Sequence, residues 1–230
     1  MKQIVSAALI GIGLVVLGLF IYCGFNSFAN KDRQVVVRGL AEQEVMANKV
    51  TWPLVVKTVG NDIQQVYTQV KQRNATIIEF LKSNGIEEAE ISLGAPSVWD
   101  KDAQTYRSDV PFRYNVTQVI TVTSSQVETV NKLIQRQGDL LAVGVALSAD
   151  YQYNTTYEYT QLNEIKPAMI AEATKNAREA AQKFAEDSNS ELGSIKAATQ
   201  GQFSISDRDS YTPWIKNVRV VTTVAYTLKD

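Results

Sequence analysis

The chain has 230 residues, among them no histidine and a single cysteine, and its formal net charge at pH 7 is −1. This balance argues against a nucleic-acid partner, because proteins that bind the phosphate backbone present a basic face. The missing residue types exclude Ser-His-Asp catalysis, Cys-His catalysis and metal sites ligated by histidine. One cysteine cannot form an internal disulfide. Composition therefore weighs against a hydrolase or a metalloenzyme.

The first predicted element is an apolar segment at the N-terminus. Residues 4–25 carry no charged side chain, and this length suits a helix that crosses a bilayer, whose hydrocarbon core needs about 20 apolar residues. We therefore predict that residues 1–29 form an uncleaved membrane anchor. The alternative is a cleaved signal sequence, because Ser27-Phe28-Ala29 offers a small-x-small pattern for cleavage after Ala29.

The charges that flank this segment leave its orientation open. Lys2 and the terminal amine precede the apolar residues, while three basic residues between 31 and 38 follow them closely. A strict positive-inside count would place the body in the cytoplasm, but long domains are translocated largely regardless of charge. Cys23 follows Tyr22 rather than the small residue that lipoprotein processing expects, so we interpret it as a thiol within a membrane helix.

Two predicted strands open the body of the protein. Residues 34–40 are rich in valine and predict a short strand that stops near Gly39. Residues 45–59 alternate apolar and polar side chains with the period of two of a half-buried strand. Pro53 lies inside the second strand and removes one hydrogen-bond donor from the ladder, which indicates a sheet edge or a bulge.

A helix and a hairpin follow these strands. Apolar residues three and four positions apart predict a helix that begins after the N-cap Asn61-Asp62 and ends at Asn84-Gly85. Residues 89–99 and 112–124 are predicted strands, and the polar segment 100–109 between them is predicted to be a hairpin loop.

The second half of the chain contains two more predicted helices. Ser124 or Ser125 caps a helix that ends near Gly138, and an alanine-rich helix runs from about Asn163 to Asp187. Further strands or extended segments are predicted at residues 143–149, 151–159, 194–206 and 218–228. This order of elements predicts an α+β fold of antiparallel sheets packed against about three helices, preceded by one N-terminal transmembrane helix or signal sequence. The body forms one large domain or two small lobes.

Three segments, in their order and spacing, carry a resemblance to a known family. They are VVVRGLAEQEV at the start of the body, AMIAEATKNAREAAQKFAEDSNSELGSI from Ala168 to Ile195, and VRVVTTVAYTL near the C-terminus. They resemble the first two strands with their small-residue turn, the alanine-spaced helix followed by Leu-Gly, and the closing strand of the SIMPL-domain (DUF541) family, typified by bacterial periplasmic immunogenic proteins. The resemblance covers about residues 34–228, and Leu40 departs from the family's opening turn, where a small or acidic residue is common.

The resemblance implies an exported or envelope-associated protein, which favours an extracytoplasmic body. It also implies assembly into ring- or channel-like oligomers and, for some members, a link to tolerance of oxidative stress. The family has no agreed enzymatic activity and no established catalytic residues, so the resemblance assigns no site residue in this chain.

Two groups of carboxylates are candidates for acid–base chemistry or Ca²⁺ binding: Glu87, Glu88 and Glu90 at a strand entry, and Asp100, Asp102 and Asp109 in the polar loop. Adjacent side chains on a strand point apart, and the aspartates lack the glycine and the distal glutamate of an EF-hand loop. We interpret both groups as solvated surface. The sequence thus predicts no catalytic residue, no cofactor site and no metal site.

Four tyrosines form the most suggestive surface pattern: Tyr151, Tyr153, Tyr157 and Tyr159. Residues two apart on a strand share a face, so a strand over 151–159 would carry a row of aromatic rings. Such a row could stack on sugars or other aromatic ligands, or anchor a protein partner. The alternative is a ladder that packs within the sheet or under the third helix.

These observations predict a non-enzymatic, membrane-anchored envelope protein of the SIMPL type that assembles into a homo-oligomer and has a structural or stress-related role. Its predicted location is the bacterial inner membrane, with a single span and the body in the periplasm. The alternative is a soluble periplasmic protein after cleavage near Ala29. The alternative function is an extracytoplasmic ligand-binding module that uses the tyrosine-rich strand 151–159.

Overall fold

The computed structural model describes residues 11–22, 24, 33–103 and 111–229. Residues 11–22 are helical, and no helix within the described residues is long and apolar enough to cross a membrane. Most of the predicted anchor, including Cys23 and the cleavage position Ala29, lies outside the described residues, so the anchor stays a prediction.

The body is an α+β fold with antiparallel sheets, as predicted. Its strands are β1 (Gln34–Met46), β2 (Lys49–Gly60), β3 (Ile91–Leu93), β4 (Ser97–Asp100), β5 (Tyr114–Ser124), β6 (Thr156–Glu158), β7 (Glu191–Gln200), β8 (Ser204–Asp207) and β9 (Ile215–Lys229). Its helices are α1 (Ile63–Ser83), α2 (Val127–Gln135), α3 (Asp139–Ala142) and α4 (Leu162–Asp187). Helix α3 is a single short turn that the sequence did not predict.

The chain divides into two compact units, each assembled from separate stretches of sequence. Unit 1 comprises Met1–Gln43, Asn163–Ser204 and Val218–Asp230, and unit 2 comprises Glu44–Leu162 and Ile205–Asn217. The chain therefore leaves unit 1 and returns to it twice, so that the N-terminal and C-terminal strands of the body belong to the same unit.

Unit 1 contains the long helix α4 and most of one sheet. The sheet has the order β1-β9-β7, and β8 also pairs with β9. The amide of Leu228 donates to the carbonyl of Arg33 (3.1 Å), and Arg219 lies 3.4 Å from Glu42. Residue numbers therefore increase along β1 in the direction in which they decrease along β9, so the two strands are antiparallel.

Small residues bring helix α4 close to the sheet. The buried residues of α4 recur every four positions along one face and are Met169, Ala173, Ala177, Ala181 and Ala185. They face a sheet surface that includes the buried Val37, Val224 and Tyr226. An alanine face lets the helix backbone approach the strands more closely than a leucine face would, because it leaves no long side chains between them.

Strand β1 continues through Gly39, so the predicted stop at this residue is wrong. A Cβ atom at Gly39 would overlap the carbonyl oxygen of Ala173 and lie 2.5 Å from the amide nitrogen of Ala177. The glycine is therefore the point where the strand meets the helix backbone rather than a turn. The strand ends at Met46, after which the amide of Ala47 leaves the ladder and donates to the carbonyl of Trp214 (2.8 Å).

Unit 2 is built on a five-stranded sheet with the order β3-β5-β2-β6, in which β4 also pairs with β5. Helices α1 to α3 contribute to its core. The fully buried residues of this core include Val50, Leu54, Val56, Ile77, Leu81, Ile120, Val122, Val130 and Leu140. The predicted strand 89–99 is interrupted at residues 94–96, which contain Gly94 and Pro96, and so becomes β3 and β4.

Strand β2 has one continuous neighbour and one short neighbour. It pairs with β5 without a register shift from Val50 to Gly60, whereas β6 pairs only with residues 49–51. Pro53 lies beyond the end of β6, so the predicted sheet edge is confirmed and no bulge is present at this residue.

The ends of α1 agree with the sequence, whereas the start of α2 does not. The side chain of Asp62 accepts hydrogen bonds from the amides of Gln64 (2.8 Å) and Gln65 (3.2 Å), and Gly85 follows the helix with a φ of +92°. Helix α2 instead has Gln126 as its N-cap, without a side-chain cap bond. Ser124, one of the two predicted caps, accepts from the amide of Gln126 (2.9 Å) before the helix begins.

Candidate functional site

The predicted strand over residues 151–159 is wrong, because only Thr156–Glu158 is a strand. The preceding residues form a turn in which the amide of Tyr153 donates to the carbonyl of Asp150 (3.0 Å). The side-chain amide of Asn154 closes this turn by donating to the carbonyl of Tyr151 (2.8 Å). The side chain of Asp150 also accepts from the amide of Gln152 (3.4 Å). Asp and Asn side chains compete with a ladder for backbone hydrogen bonds in this way. The four tyrosines therefore do not form one row.

Tyr157 lies in the core of unit 2, where its side chain is 9% exposed. Its hydroxyl donates to the side-chain oxygen of Asn131, and its ring meets that of Trp214 edge to face at 6.2 Å. Burial raises the pKa of the Tyr157 hydroxyl above its ordinary value. Tyr159 is half-buried beyond the end of β6. The environments of Tyr157 and Tyr159 therefore differ from those of Tyr151 and Tyr153.

Replacing Tyr157 with phenylalanine is expected to lower the free energy of unfolding by about 1 kcal/mol, because Asn131 loses its donor. The folded protein holds the Tyr157 proton more tightly than the unfolded chain does, so this group's contribution is full below about pH 10 and is lost as the pH rises. Tyr157→Phe should weaken that alkaline dependence in denaturant unfolding measured from pH 7 to 11. Tyr211→Phe, at a residue 88% exposed, should leave the stability at pH 7 unchanged. Equal stability of Tyr157→Phe and wild type would contradict this prediction.

Tyr151 and Tyr153 line a cleft in unit 2 with a volume of about 570 Å³. Its floor is the edge of β2 at residues 52–55, one wall is formed by residues 134–141 of α2 and α3, and the other by residues 147–155. The cleft opens because β6 stops at Thr156, and the next contact along β2 is a bond from the amide of Ser148 to the carbonyl of Val55 (2.8 Å). The edge of β2 is open between these two contacts.

The cleft combines exposed apolar side chains with uncharged polar groups. Tyr151 is 89% exposed and Leu141 is 63% exposed. Asp150 is the one charged residue among the described residues that line the cleft, and it lies 3.0 Å from the ammonium of Lys57. The hydrogen bond from Lys57 holds the pKa of Asp150 below its ordinary value. Asp150 is thus an ionised and paired structural group.

The sequence did not identify this cleft as a site. It selected Tyr151 and Tyr153 for a reason that the structure does not support, and it missed Pro53, Leu141 and Asp150. The position of Pro53 within a strand was the one local signal of an open edge. Nothing in the spacing of residues 134–155 indicates that a helix end and a turn meet there.

The aspartates of the polar loop are held by an arginine. Arg113 lies 2.8 Å from Asp100 and 3.3 Å from Asp102, while Asp109 falls outside the described residues. Arg113 holds the pKa of Asp100 below its ordinary value, chiefly through their hydrogen bond. A guanidinium thus lies where a Ca²⁺ ion would have to bind. No cluster of three or more potential metal-ligating side chains occurs among the residues that the structure describes.

The three glutamates have local structural roles. Glu87 and Glu90 form a reciprocal capping box around the 3₁₀ turn Glu88–Glu90. Glu88 lies 2.9 Å from the ammonium of Lys82, and the hydrogen bond from this lysine lowers the pKa of the Glu88 carboxyl. The glutamates therefore bond to the backbone of their own turn or to Lys82. Their three carboxylates do not form a shared site.

Comparison with known proteins gives a family but no described activity. No curated protein matches the sequence. Residues 35–220 match the family described as "SIMPL: Protein of unknown function (DUF541)". This range includes all of unit 2, and it contains the opening strand and the alanine-rich helix that carry the resemblance. It ends at residue 220, three residues into the closing segment that begins at Val218. The chain belongs to the SIMPL (DUF541) family.

Proposed function

We propose that this protein is a membrane-anchored envelope protein without enzymatic activity, whose body associates with other copies of itself. The proposal assigns residues 1–29 to an anchor in the bacterial inner membrane and the body to the periplasm. Its role is structural or stress-related. The observation that carries the self-association is an exposed apolar surface on the sheet of unit 1.

This surface lies on the side of the sheet opposite helix α4. Val36 and Leu40 of β1 are 57% and 39% exposed, and they alternate with residues such as Val37 that face the helix. The charged Arg38 and Glu42 lie on the same side of β1, so the apolar residues form part of a mixed surface. Val221 and Ala225 are on the same side of β9, because they alternate with the buried Val220, Val224 and Tyr226. Ala197 of β7 pairs with Ala225 and extends the surface across a third strand. A second copy could bury these apolar residues by packing its own sheet against them.

The helical residues 11–22 support the membrane anchor. Every residue in this range is exposed. The exposed large apolar side chains there are Ile12, Leu14, Val15, Val16, Leu17, Leu19, Phe20, Ile21 and Tyr22. A helix that is apolar on all sides is stable in a lipid environment or in a protein core, and not in water. A span is the arrangement that continues this apolar surface into the uncharged residues 4–25.

The absence of enzymatic activity is proposed from residue chemistry. The chain has no histidine, and its one cysteine falls in the predicted anchor. In the described residues, four carboxylates have lowered pKa values, and each is paired with a basic side chain: Glu88, Asp100, Asp150 and Asp209. A group that catalyses proton transfer needs a pKa near the working pH, and the pKa of each of these carboxyl groups lies below its ordinary value.

The test of self-association is the native mass of the full chain extracted in detergent, measured by light scattering. We expect an oligomer for the wild type and dissociation for the double variant Val36→Lys, Leu40→Lys. Fully burying an apolar side chain contributes about 1.5–3 kcal/mol, and about half of each of these two side chains is already buried, so losing both should weaken association about tenfold or more. Val98→Lys is the matched control, because Val98 is 52% exposed on β4 of unit 2. A monomeric wild type would contradict self-association, and intact mass of the same sample tests whether residues 1–29 remain.

A second candidate function is binding of a small ligand in the cleft of unit 2. The specific observation is that Tyr151 and Tyr153 meet an open strand edge and the exposed Leu141 in one concave site. Clefts of roughly 300–1,000 Å³ that combine apolar walls with a few polar groups are typical of ligand sites. A panel of neutral and charged small molecules tests it by hydrogen–deuterium exchange, with slower exchange of residues 147–155 as the expected response. No response from any compound would contradict this function.

A further inference from the structure

We propose that the cleft of unit 2 binds the uncharged pyranose rings of a glycan. This proposal rests on the second candidate function above and adds the chemical class of the ligand. Three features of the cleft carry it: an exposed aromatic ring, polar groups without free charge, and a floor that disfavours a peptide strand.

The first feature is the exposed ring of Tyr151. Tyr151 is 89% exposed although it is a large aromatic residue, and Leu141 on the opposite wall is 63% exposed. The face of an aromatic ring carries partial negative charge. The axial C–H groups of a pyranose carry partial positive charge and form a flat apolar surface. A sugar ring can therefore stack on Tyr151 while its hydroxyl groups stay in contact with water.

The second feature is the kind of polar group in the cleft. The lining offers the side chains of Gln137, Ser148, Asn154 and Thr155, which donate or accept hydrogen bonds without a net charge. Within the described residues, the side chains of Gln137 and Thr155 form no hydrogen bond of their own. Because Asp150 is already paired with Lys57 (3.0 Å), the described residues that line the cleft offer no unpaired charge to select a phosphate, a carboxylate or an ammonium group. Sugar hydroxyl groups match this set of donors and acceptors.

The third feature is the strand edge at the floor. The carbonyl of Val55 bonds the amide of Ser148 on this edge. Backbone groups two residues apart on a strand point to the same edge, so the carbonyl of Pro53 also points into the cleft. Proline has no N–H group, which removes a donor that an added peptide strand would need. The edge therefore offers an acceptor for a hydroxyl group and is a poor template for a peptide.

The backbone of the turn that carries Tyr151 is hydrogen-bonded before any ligand binds. The turn that carries Tyr151 is closed by bonds from Tyr153 to Asp150 (3.0 Å) and from Asn154 to Tyr151 (2.8 Å). The ion pair of Asp150 with Lys57 fixes the turn to β2. A fixed site loses less conformational entropy on binding than a mobile loop does, which favours binding of a weakly interacting neutral ligand.

The experiment titrates cellotriose into the full chain in detergent by calorimetry and maps it by hydrogen–deuterium exchange. The ring hydroxyls of cellotriose are equatorial, except for the α-anomeric hydroxyl of the reducing end, so both faces of the rings present C–H groups. We expect saturable binding, slower exchange of residues 147–155, and about tenfold weaker binding by Tyr151→Ala. Tyr211→Ala is the matched control, because Tyr211 is 88% exposed on another loop, and it should bind like the wild type. Trigalacturonic acid, which carries a carboxylate on each ring, should bind at least tenfold more weakly than cellotriose.

Two other results would overturn the proposal. In the first, cellotriose does not bind, but trialanine or a charged member of the panel slows exchange of residues 147–155. This result rejects a glycan as the ligand and supports a cleft that binds another kind of ligand. Cellotriose that binds equally to Tyr151→Ala and Tyr211→Ala, or slows exchange elsewhere in the chain, rejects the site. A lack of response to cellotriose and to every other compound rejects the ligand-binding function together with the glycan.

Discussion

Replacing Ile77 with alanine is expected to lower the free energy of unfolding of unit 2 by about 2–5 kcal/mol. Ile77 is fully buried on α1, in a cluster with Leu54 and Val56 of β2 and Ile120 of β5. The alanine leaves a cavity between the helix and the two central strands, because close-packed neighbours relax only partly. Denaturant unfolding followed by circular dichroism measures the loss, and exchange of α1 amides assigns it to unit 2.

The same helix provides the matched control for this prediction. Ile63 begins α1 and is 38% exposed, so Ile63→Ala removes the same atoms from a position that buries less of them. We expect the loss for Ile63→Ala to be below about 1 kcal/mol. Equal losses for the two variants would show that α1 does not pack on the sheet as described.

Replacing Gly39 with alanine is expected to destabilise unit 1 by about 1–3 kcal/mol. The added Cβ would overlap the carbonyl oxygen of Ala173 and lie 2.9 Å from its carbonyl carbon. Both atoms belong to the helix backbone, which cannot rotate away as a long side chain could, so α4 must shift from the sheet. We expect faster hydrogen exchange over residues 169–185 and a lower unfolding midpoint in guanidinium.

Gly138→Ala separates this contact from the general effect of losing a glycine. Gly138 has helical backbone angles (φ −61°, ψ −24°), and a Cβ there would meet no atom within 4 Å. Alanine restricts the unfolded chain more than glycine, so the variant should be unchanged or stabilised by up to about 1 kcal/mol. A Gly39→Ala variant as stable as Gly138→Ala would contradict the contact between β1 and α4.

The sequence predicted those elements whose signals are local. Helix α1 follows its N-cap at Asp62 and ends before Gly85, because a side-chain oxygen and a positive φ act on the adjacent backbone alone. The alanine-rich face of α4 and the alternation of β9 were equally readable, since their periods match those of a helix and a strand. The α+β class follows from the order of these elements.

The features that the sequence did not give depend on contacts between distant residues. The stop at Gly39 was inferred from its lack of a side chain, whereas the space it leaves is filled by residues 173–177 of α4. The alternating tyrosines suggested a strand, but the bonds of Asp150 and Asn154 close a turn there instead. The candidate site combines a strand edge, a helix end and this turn, and their meeting is decided by the fold and not by any one segment.

The pairing of β1 with β9 has a consequence for the order in which the protein is made. β1 is among the first parts of the body to leave the ribosome, and its partner strand is the last, at Ile215–Lys229. Unit 2 receives most of its residues, Glu44–Leu162, well before that point. Until the C-terminus emerges, β1 carries unpaired backbone groups and the exposed Val36 and Leu40, which are features of chains that aggregate or recruit chaperones. A nascent chain that ends at Trp214 lacks all of β9, and its β1 would therefore stay unpaired however long synthesis paused.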